Sequence, residues 1–285
     1  MAQSRVRETL QEIGAIDPSR VVRFAERTRD RDIPVWVDPV TGVIFIDEYY
    51  VGDAEYATGS YREMLGVPDF EDWSDTLRRT RDFRPLAHGR SILDFGCGAG
   101  SFLRGVRGIA RSVQGVELQE SFREQLNDDG IPCYDDLNSC TPSDVAFMFH
   151  VLEHLPDPRS SLERMHDFLG GNGGTLVVEV PHARDFLIST ARNQPFIDFT
   201  LWSQHLVLHT RESLDRLLRT AGFTSVQVRG VQRYGLANHL NWLIGGQPGG
   251  HKGHLAAFES AALRQEWEAA LAAMDATDTL VAIAS

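Results

Sequence analysis

Between residues 91 and 181 of this 285-residue chain, short apolar runs alternate with amphipathic stretches, and few folds satisfy that order. The run DVAFMFH (144–150) is apolar at consecutive positions, which is typical of a strand covered on both faces. Strands of this kind, separated by helices, predict a parallel sheet with helices on both sides. The runs of strand length lie at 91–96, 112–117, 131–134, 144–150 and 174–181.

The C-terminal part extends this order. Thr210 stands where a helix cap is expected, ahead of the amphipathic stretch RESLDRLLRTAG, and Gly222 stands where that helix should end. Further elements are expected as a strand at 225–231, a loop or lid at 236–252, a helix at 256–276 and a strand at 279–285.

Residues 1–85 differ in character from the rest of the chain. RVRETLQEI is helical in pattern, and PVWVDPVTGVIFIDEYY alternates like a hairpin that turns at Thr41-Gly42. We therefore expect a separate segment over residues 1–85, which either caps the site or forms a dimerisation arm. Residues 86–285 would form the main domain, in which 236–277 contribute a lid and a helix between the last two strands.

The charge balance disfavours some classes of partner. The chain has 28 Lys and Arg against 40 Asp and Glu, a formal net charge of -12, whereas proteins that bind nucleic acid usually carry a basic surplus. A negatively charged small ligand would need a local group of arginines.

No run approaches the roughly 20 consecutive apolar residues of a membrane span, and the first residues lack the pattern of a secretory signal. Cys97, Cys133 and Cys140 form no CxxC pair, so reduced thiols are expected rather than a disulfide or a zinc site. We expect a cytoplasmic protein that binds neither nucleic acid nor membrane.

The most specific motif is Asp94-Phe-Gly96-Cys-Gly98-Ala-Gly100, directly after the first strand of the series. Glycine is required where backbone approaches a ligand closely or takes positive φ, and Glu117 ends the next strand, where a carboxylate can accept both hydroxyls of a ribose. A dinucleotide fingerprint would need its third small residue at position 101, where this chain has Ser101. The pattern favours a nucleoside-containing ligand other than a dinucleotide.

With these residues, the chain resembles the class I S-adenosylmethionine-dependent methyltransferases, in their small-molecule branch. ILDFGCGAG (92–100) is similar to their motif I, GVEL (115–118) to motif II, and FHVLEHLPDP (149–158) to the segment after their fourth strand. The resemblance covers residues 88–232. It implies an α/β fold with a Rossmann-like, doubly wound sheet of seven strands in the order 3-2-1-4-5-7-6, in which strand 7, here TLVAIAS (279–285), is antiparallel.

The resemblance also implies roles for individual residues toward the donor, S-adenosylmethionine, and its product, S-adenosylhomocysteine. Asp94 would lie near the methionine ammonium, Glu117 would hold the ribose, Leu118 would pack on adenine, and His150 would line the methionine end. The remaining donor contacts implied are Gly96, Cys97, Gly98 and Gly100 in the loop, with Asp136 and Leu137, or the competing Asp135, near adenine N6.

The histidines allow several interpretations. His150 and His154 stand in H-x-x-E-H, but His150 closes a strand, so the helical zinc-peptidase motif is excluded, and no metal is expected. His154 is either packed structurally or catalytic. His205 and His209 are expected on the acceptor side, whereas HKGH (251–254) either closes over the acceptor or, as we favour, is a solvated loop.

A hydroxyl acceptor requires a base near the donor sulfur, and we rank His154 above His205 and His209 because it follows the fourth strand. Tyr56 and Tyr61 are expected nearby. The N-terminal and distal segments are similar to methyltransferases of bacterial polysaccharide and sugar-nucleotide pathways, which favours O-methylation of a sugar or sugar-linked metabolite. The alternatives are O- or C-methylation of a small aromatic or natural-product acceptor, a non-catalytic donor-binding scaffold, and a dehydrogenase. A homodimer is possible.

Overall fold

The computed structural model describes residues 4–47, 49–59 and 73–285. Its strands are β1 Val22–Ala25, β2 Val35–Val37, β3 Ile44–Ile46, β4 Ser91–Phe95, β5 Ser112–Val116, β6 Cys133–Tyr134, β7 Val145–Phe149, β8 Thr175–Pro181, β9 Val207–Leu208, β10 Val226–Val231 and β11 Thr279–Ala284. Its α-helices are α1 Val6–Glu12, α2 Asp53–Thr58, α3 Trp73–Asp82, α4 Arg84–Ala87, α5 Ser101–Val106, α6 Glu120–Asp128, α7 Pro158–Phe168, α8 Phe186–Ser189, α9 Gln194–Thr200, α10 Arg211–Thr220, α11 Leu236–Gly245 and α12 Ala261–Ala273.

The larger sheet has seven strands in the order β6-β5-β4-β7-β8-β11-β10. The strands from β4 to β8 pair in parallel, and β11 lies antiparallel between β8 and β10, with Leu280 opposite Val180 on one side and Gly230 on the other. Counted along this sheet alone, the order is 3-2-1-4-5-7-6 with an antiparallel seventh strand. The predicted fold class and topology are confirmed.

Successive residues of the central strands enter opposite cores, which explains why their sequences are apolar without alternation. Leu93 and Met148 belong to the core on the face covered by α1, α7 and α10. Ile92 and Phe147 belong to the opposite core, where the Phe147 ring lies 4.7 Å from the ring of Phe102 in α5. Both faces are therefore covered by helices.

The N-terminal hairpin forms as predicted: β2 and β3 pair antiparallel, and Gly42 in the turn has a φ of 80°. Together with β1 and β9 they make a four-stranded sheet, in which Ile44 of β3 lies opposite Leu208 of β9. This pairing attaches the N-terminal segment to the stretch between β8 and α10, close to the carboxyl ends of the central strands.

Three expectations for the C-terminal part need correction. The loop expected over 236–252 is wrong for 236–245, which form α11 with a buried Trp242 side chain, before Gly246 ends it at a φ of 62°. The helix expected over 256–276 begins at Ala261, after a cap by Ser260. Thr210 caps α10 as predicted, but the helix ends at Thr220, with Ala221 rather than Gly222 as its C-cap.

Among the described residues, no helix combines the length and the apolarity that crossing a membrane requires.

Candidate active site

A cavity of about 940 Å³ opens at the carboxyl ends of β4, β5, β7 and β8. One part of its wall follows the central strands and is called here the glycine-loop half: Gly96, Gly98, Glu117, Leu118, Asp135, Asp136, Leu137 and His150. The other part is called the aromatic half: Arg29, Tyr56, His154, Asp185, Phe196, Phe199, Trp202, His205, Tyr234, Trp242, His251 and Asp278. Ligands of open α/β sheets bind at this end of the strands.

The glycine loop owes its shape to backbone conformations that other residues rarely adopt. Gly96, Gly98 and Gly100 have φ values of 74°, 53° and 74°. A Cβ on Gly96 would lie 2.5 Å from Val151 Cγ2, so a side chain there would meet the loop that follows β7. The Gly98 amide donates to Glu117 Oε2 at 2.8 Å, which fixes the carboxylate beside the loop.

The structure brings most of the predicted donor residues to the cavity wall. Gly96, Gly98, Glu117, Leu118, Asp136, Leu137 and His150 line it, as does the competing Asp135. Asp94, Cys97 and Gly100 do not. Asp94 is buried, and the Cys97 sulfur points into the core, 3.8 Å from the Cys133 sulfur without a disulfide.

His150 lies within a buried charge network that the sequence did not reveal. Its φ is 55°, and its Nδ1 lies 3.0 Å from Glu153 Oε1. Burial and Arg233 disfavour the imidazolium, but the carboxylates of Glu153 and Glu179 outweigh them and raise the pKa of His150. The further members of the network are Asp75, Arg78 and Arg79. The one sequence feature that could have indicated this network is Glu179, a carboxylate inside the otherwise apolar strand β8.

His154 is a neutral imidazole in a defined orientation. Its Nδ1 lies 2.9 Å from the carbonyl oxygen of Gln204 and 3.3 Å from the hydroxyl of Tyr56. Since a carbonyl oxygen can only accept, Nδ1 carries the proton and Nε2 is the basic nitrogen. Burial lowers the pKa of His154 despite the opposing charge of Glu153. A neutral imidazole of this tautomer can accept a proton at Nε2.

His205 and His209 have different positions. The His205 ring lies 5.1 Å from the His154 ring in the cavity wall, and burial lowers the pKa of His205 to about 3. His209 is fully buried away from the cavity, where its Nδ1 lies 2.9 Å from the hydroxyl of Ser213 at the start of α10. The structure therefore brings together two of the three predicted histidines.

One group of residues has the spacing of metal ligands in the described part of the chain. Glu153, His154 and His205 each place one ligand atom within 4.8 Å of the others. His154 Nδ1 is already engaged by Gln204, so Nε2 is the nitrogen left to a metal or to a substrate.

The aromatic half contains several residues that no local pattern indicated. Arg29, Trp202 and Trp242 line it, as does Asp185, whose pKa is raised to about 8 by burial and by the charge of Asp278. His251 also lines the cavity, so the expectation of a solvated loop is wrong for this residue.

His254, in contrast, is exposed, as that expectation required. Tyr56 lies in the wall as expected, and Tyr61 lies outside the described residues.

Comparison with known proteins agrees with this geometry. A family model described as a methyltransferase domain matches residues 68–228, more than half of the chain. The chain belongs to this family and is a class I S-adenosylmethionine-dependent methyltransferase. Among solved structures, a SAM-dependent methyltransferase from Archaeoglobus fulgidus has the same fold, with a TM-score of 0.53 and 18% identity over 79% of this chain and 98% of that one.

Two curated relatives are more similar in sequence. A probable S-adenosylmethionine-dependent methyltransferase of Mycolicibacterium smegmatis is 28% identical over 64% of this chain and 73% of its own length. A ubiquinone biosynthesis O-methyltransferase of Thiobacillus denitrificans is 33% identical over 31% of this chain and 40% of its own length. The second match thus spans less than half of that relative. The dehydrogenase and scaffold alternatives are set aside, and the donor is S-adenosylmethionine.

Proposed function

We propose that this methyltransferase transfers a methyl group to a hydroxyl of a small acceptor, with His154 as the general base. The observation that carries the proposal is the neutral His154 in the cavity wall, with its Nδ1 proton held by the Gln204 carbonyl. A neutral imidazole with a directed lone pair is suited to removing a hydroxyl proton. An amine acceptor would need no such base.

The donor fits the glycine-loop half, because the positive φ values leave backbone rather than side chains at the wall. When bound, S-adenosylmethionine supplies a methyl group attached to a positively charged sulfonium sulfur. After methyl transfer this sulfur is a neutral thioether. We assign Glu117 to the ribose, Leu118 to adenine and His150 to the methionine end. Asp136 and Leu137 would meet adenine N6, and Asp94, Cys97, Gly96, Gly98 and Gly100 would shape the loop.

The protein's contribution to the reaction is positioning and proton removal. The acceptor oxygen would take the methyl carbon as the carbon–sulfur bond breaks with its electron pair on sulfur, and His154 Nε2 would receive the hydroxyl proton. The resulting imidazolium would lie near the carboxylate of Glu153. Burial alone would raise the pKa of Glu153, but the hydrogen bond and the charge of His150 lower it to about 2. This scheme needs no metal, so EDTA treatment should leave kcat unchanged.

For the acceptor, we place a sugar or sugar-linked metabolite first. The aromatic half combines rings that can stack on a sugar, such as Trp202 and Trp242, with polar groups such as Asp185 and Asp278. A small aromatic acceptor is the second candidate, which the similarity to a ubiquinone biosynthesis O-methyltransferase favours.

Residues 1–85 would act as a cap over the acceptor, since Arg29, Tyr50 and Tyr56 contribute to the cavity wall. Residues 236–277 would cover it from the other side through Trp242 and His251.

The test compares His154→Ala with His209→Ala on an acceptor found by screening sugars and phenols for methyl transfer. His154→Ala should lower kcat by about 10²–10⁴-fold with unchanged affinity for S-adenosylhomocysteine. His209→Ala should lower the melting temperature and leave kcat of the folded enzyme nearly normal. In the wild type, kcat should fall as pH drops through the pKa of His154, because the protonated imidazole cannot act as a base. Burial lowers this pKa below its ordinary 6.5. Normal turnover by His154→Ala would move the base to His205 or remove it.

A further inference from the structure

Arg29 occupies an unusual position in the aromatic half. Its guanidinium lies 4.7 Å from the centroid of the Phe199 ring and 5.9 Å from that of the Trp202 ring. The backbone amide of Arg29 donates to the Leu201 carbonyl at 2.7 Å, which joins the loop of Arg29 to the segment that carries both rings. The positive charge is thus held against two aromatic faces at the cavity wall.

The other arginines of the cavity wall have carboxylate partners. Arg79 pairs with Glu179 at 2.8 Å, Arg164 with Asp136 at 3.4 Å, and Arg233 with Asp75. Arg29 has no ion pair within the described residues, and its buried Nε has no hydrogen-bond partner there.

The adjacent carboxylate of Asp30 attracts the Arg29 guanidinium electrostatically, but its oxygens are bonded to other residues. Asp30 accepts hydrogen bonds from the Ser203 amide at 3.0 Å and from the Ser203 hydroxyl at 2.6 Å. The Asp30 carboxylate also interacts with the Thr28 side chain and lies 3.8 Å from Arg31 Nε. Asp30 therefore fixes the loop that carries Trp202, while Arg29 lines the cavity with its guanidinium beside that ring.

An arginine keeps its charge at any physiological pH, and burying that charge without a partner costs free energy. A ligand that brings an anion would remove the cost, and a guanidinium binds carboxylates and phosphates through paired hydrogen bonds. We infer that Arg29 holds an anionic group of the acceptor, a carboxylate or a phosphate ester, beside Phe199 and Trp202. The inference rests on the proposed function in one respect, that the aromatic half takes the acceptor.

The position of Arg29 also relates the anion to the reacting hydroxyl. The Trp202 ring is 5.9 Å from the Arg29 guanidinium and 5.9 Å from the His154 ring, so one small molecule can contact both side chains. An acceptor with an anionic group and a hydroxyl on the same ring satisfies this arrangement. Uronates, sugar phosphates and hydroxybenzoates are the corresponding chemical classes.

The experiment measures binding to the full chain by calorimetry, in the presence of S-adenosylhomocysteine, for matched anionic and neutral probes. The carboxylate probes are glucuronate against glucuronamide and 3,4-dihydroxybenzoate against its amide, and the phosphate probe is glucose 1-phosphate against glucose. In at least one pair the anionic member should bind about 10-fold to 100-fold more tightly. The pair that responds distinguishes a carboxylate from a phosphate ester.

Arg29→Gln should abolish this preference, and Arg29→Lys should keep part of it, because the charge remains without the planar fork. Arg27→Gln is the matched control, since Arg27 is exposed and pairs with Asp32 at 3.4 Å. Unchanged affinity for S-adenosylhomocysteine will show that each variant is folded.

The inference is overturned if no anionic probe binds the wild-type protein more tightly than its neutral counterpart, or if Arg29→Gln keeps the preference. Because binding is measured without turnover, these outcomes are separate from the His154 test. An anion preference without His154-dependent methylation would retain this inference and reject the proposed function.

Discussion

The two halves of the cavity are built in different ways. The glycine-loop half consists of residues that directly follow consecutive strands, and backbone conformation shapes it, as in the contact of the Gly98 amide with Glu117. The aromatic half is assembled from distant segments, so that Arg29, His154 and Tyr234 line one cavity. A donor common to a family can be bound by a local motif, whereas an acceptor that varies is bound by side chains from separate elements.

The largest effect expected in the glycine-loop half is that of Glu117→Ala. The variant should bind S-adenosylhomocysteine more weakly by about 1.5–3 kcal/mol, because hydrogen bonds to a charged group are lost. Calorimetry with Glu120→Ala, an exposed neighbour in α6, provides the control. Wild-type affinity would show that the donor site is not organised around Glu117, and would weaken the contrast between the halves.

A pH-dependent effect is expected in the aromatic half from Asp185→Asn. The folded-state pKa of Asp185 is about 8, well above its ordinary 3.8, so folding favours the protonated carboxyl. Its contribution to stability is complete below pH 3.8 and is lost as pH rises through 8. Between pH 6 and pH 7 the free energy of unfolding should fall by about 1.4 kcal/mol from this group.

The Asn side chain resembles the protonated acid and does not titrate, so the decline should be shallower in the variant. Urea unfolding at pH 5, 6, 7 and 8 measures both slopes. Parallel curves for the two proteins would mean that Asp185 is ionised throughout and adds a negative charge to the aromatic half.

The smallest effect is expected from Leu118→Ala, because Leu118 is 37% exposed and should lose that exposure against adenine. We expect about 1 kcal/mol weaker binding of S-adenosylhomocysteine from the lost apolar contact. Leu243→Ala, an exposed leucine of α11, is the matched control. An equal change in both variants would mean that Leu118 does not contact the donor.

Much of the fold could be predicted because its signals are local. Apolar strands such as Val145–Phe149, the cap at Thr210 and the turn at Gly42 each depend on a few consecutive residues. The glycines between 236 and 252 favour a loop, but the structure has a helix over 236–245. They lie at the end of α11 and beyond it, and the apolar surface of Trp242 favours the helix through tertiary packing.

The sequence by itself determined the sheet and the glycine loop, because strand periodicity and positive-φ glycines act over short distances. Only the tertiary structure decided which histidines line the cavity, because no local pattern distinguishes His154, His205 and His209. His209 is buried between β9 and α10, whereas the Gln204 carbonyl orients His154 in the cavity wall. The same holds for Arg29. Its lack of a carboxylate partner depends on how Asp30 bonds to Ser203, a contact between residues 173 positions apart.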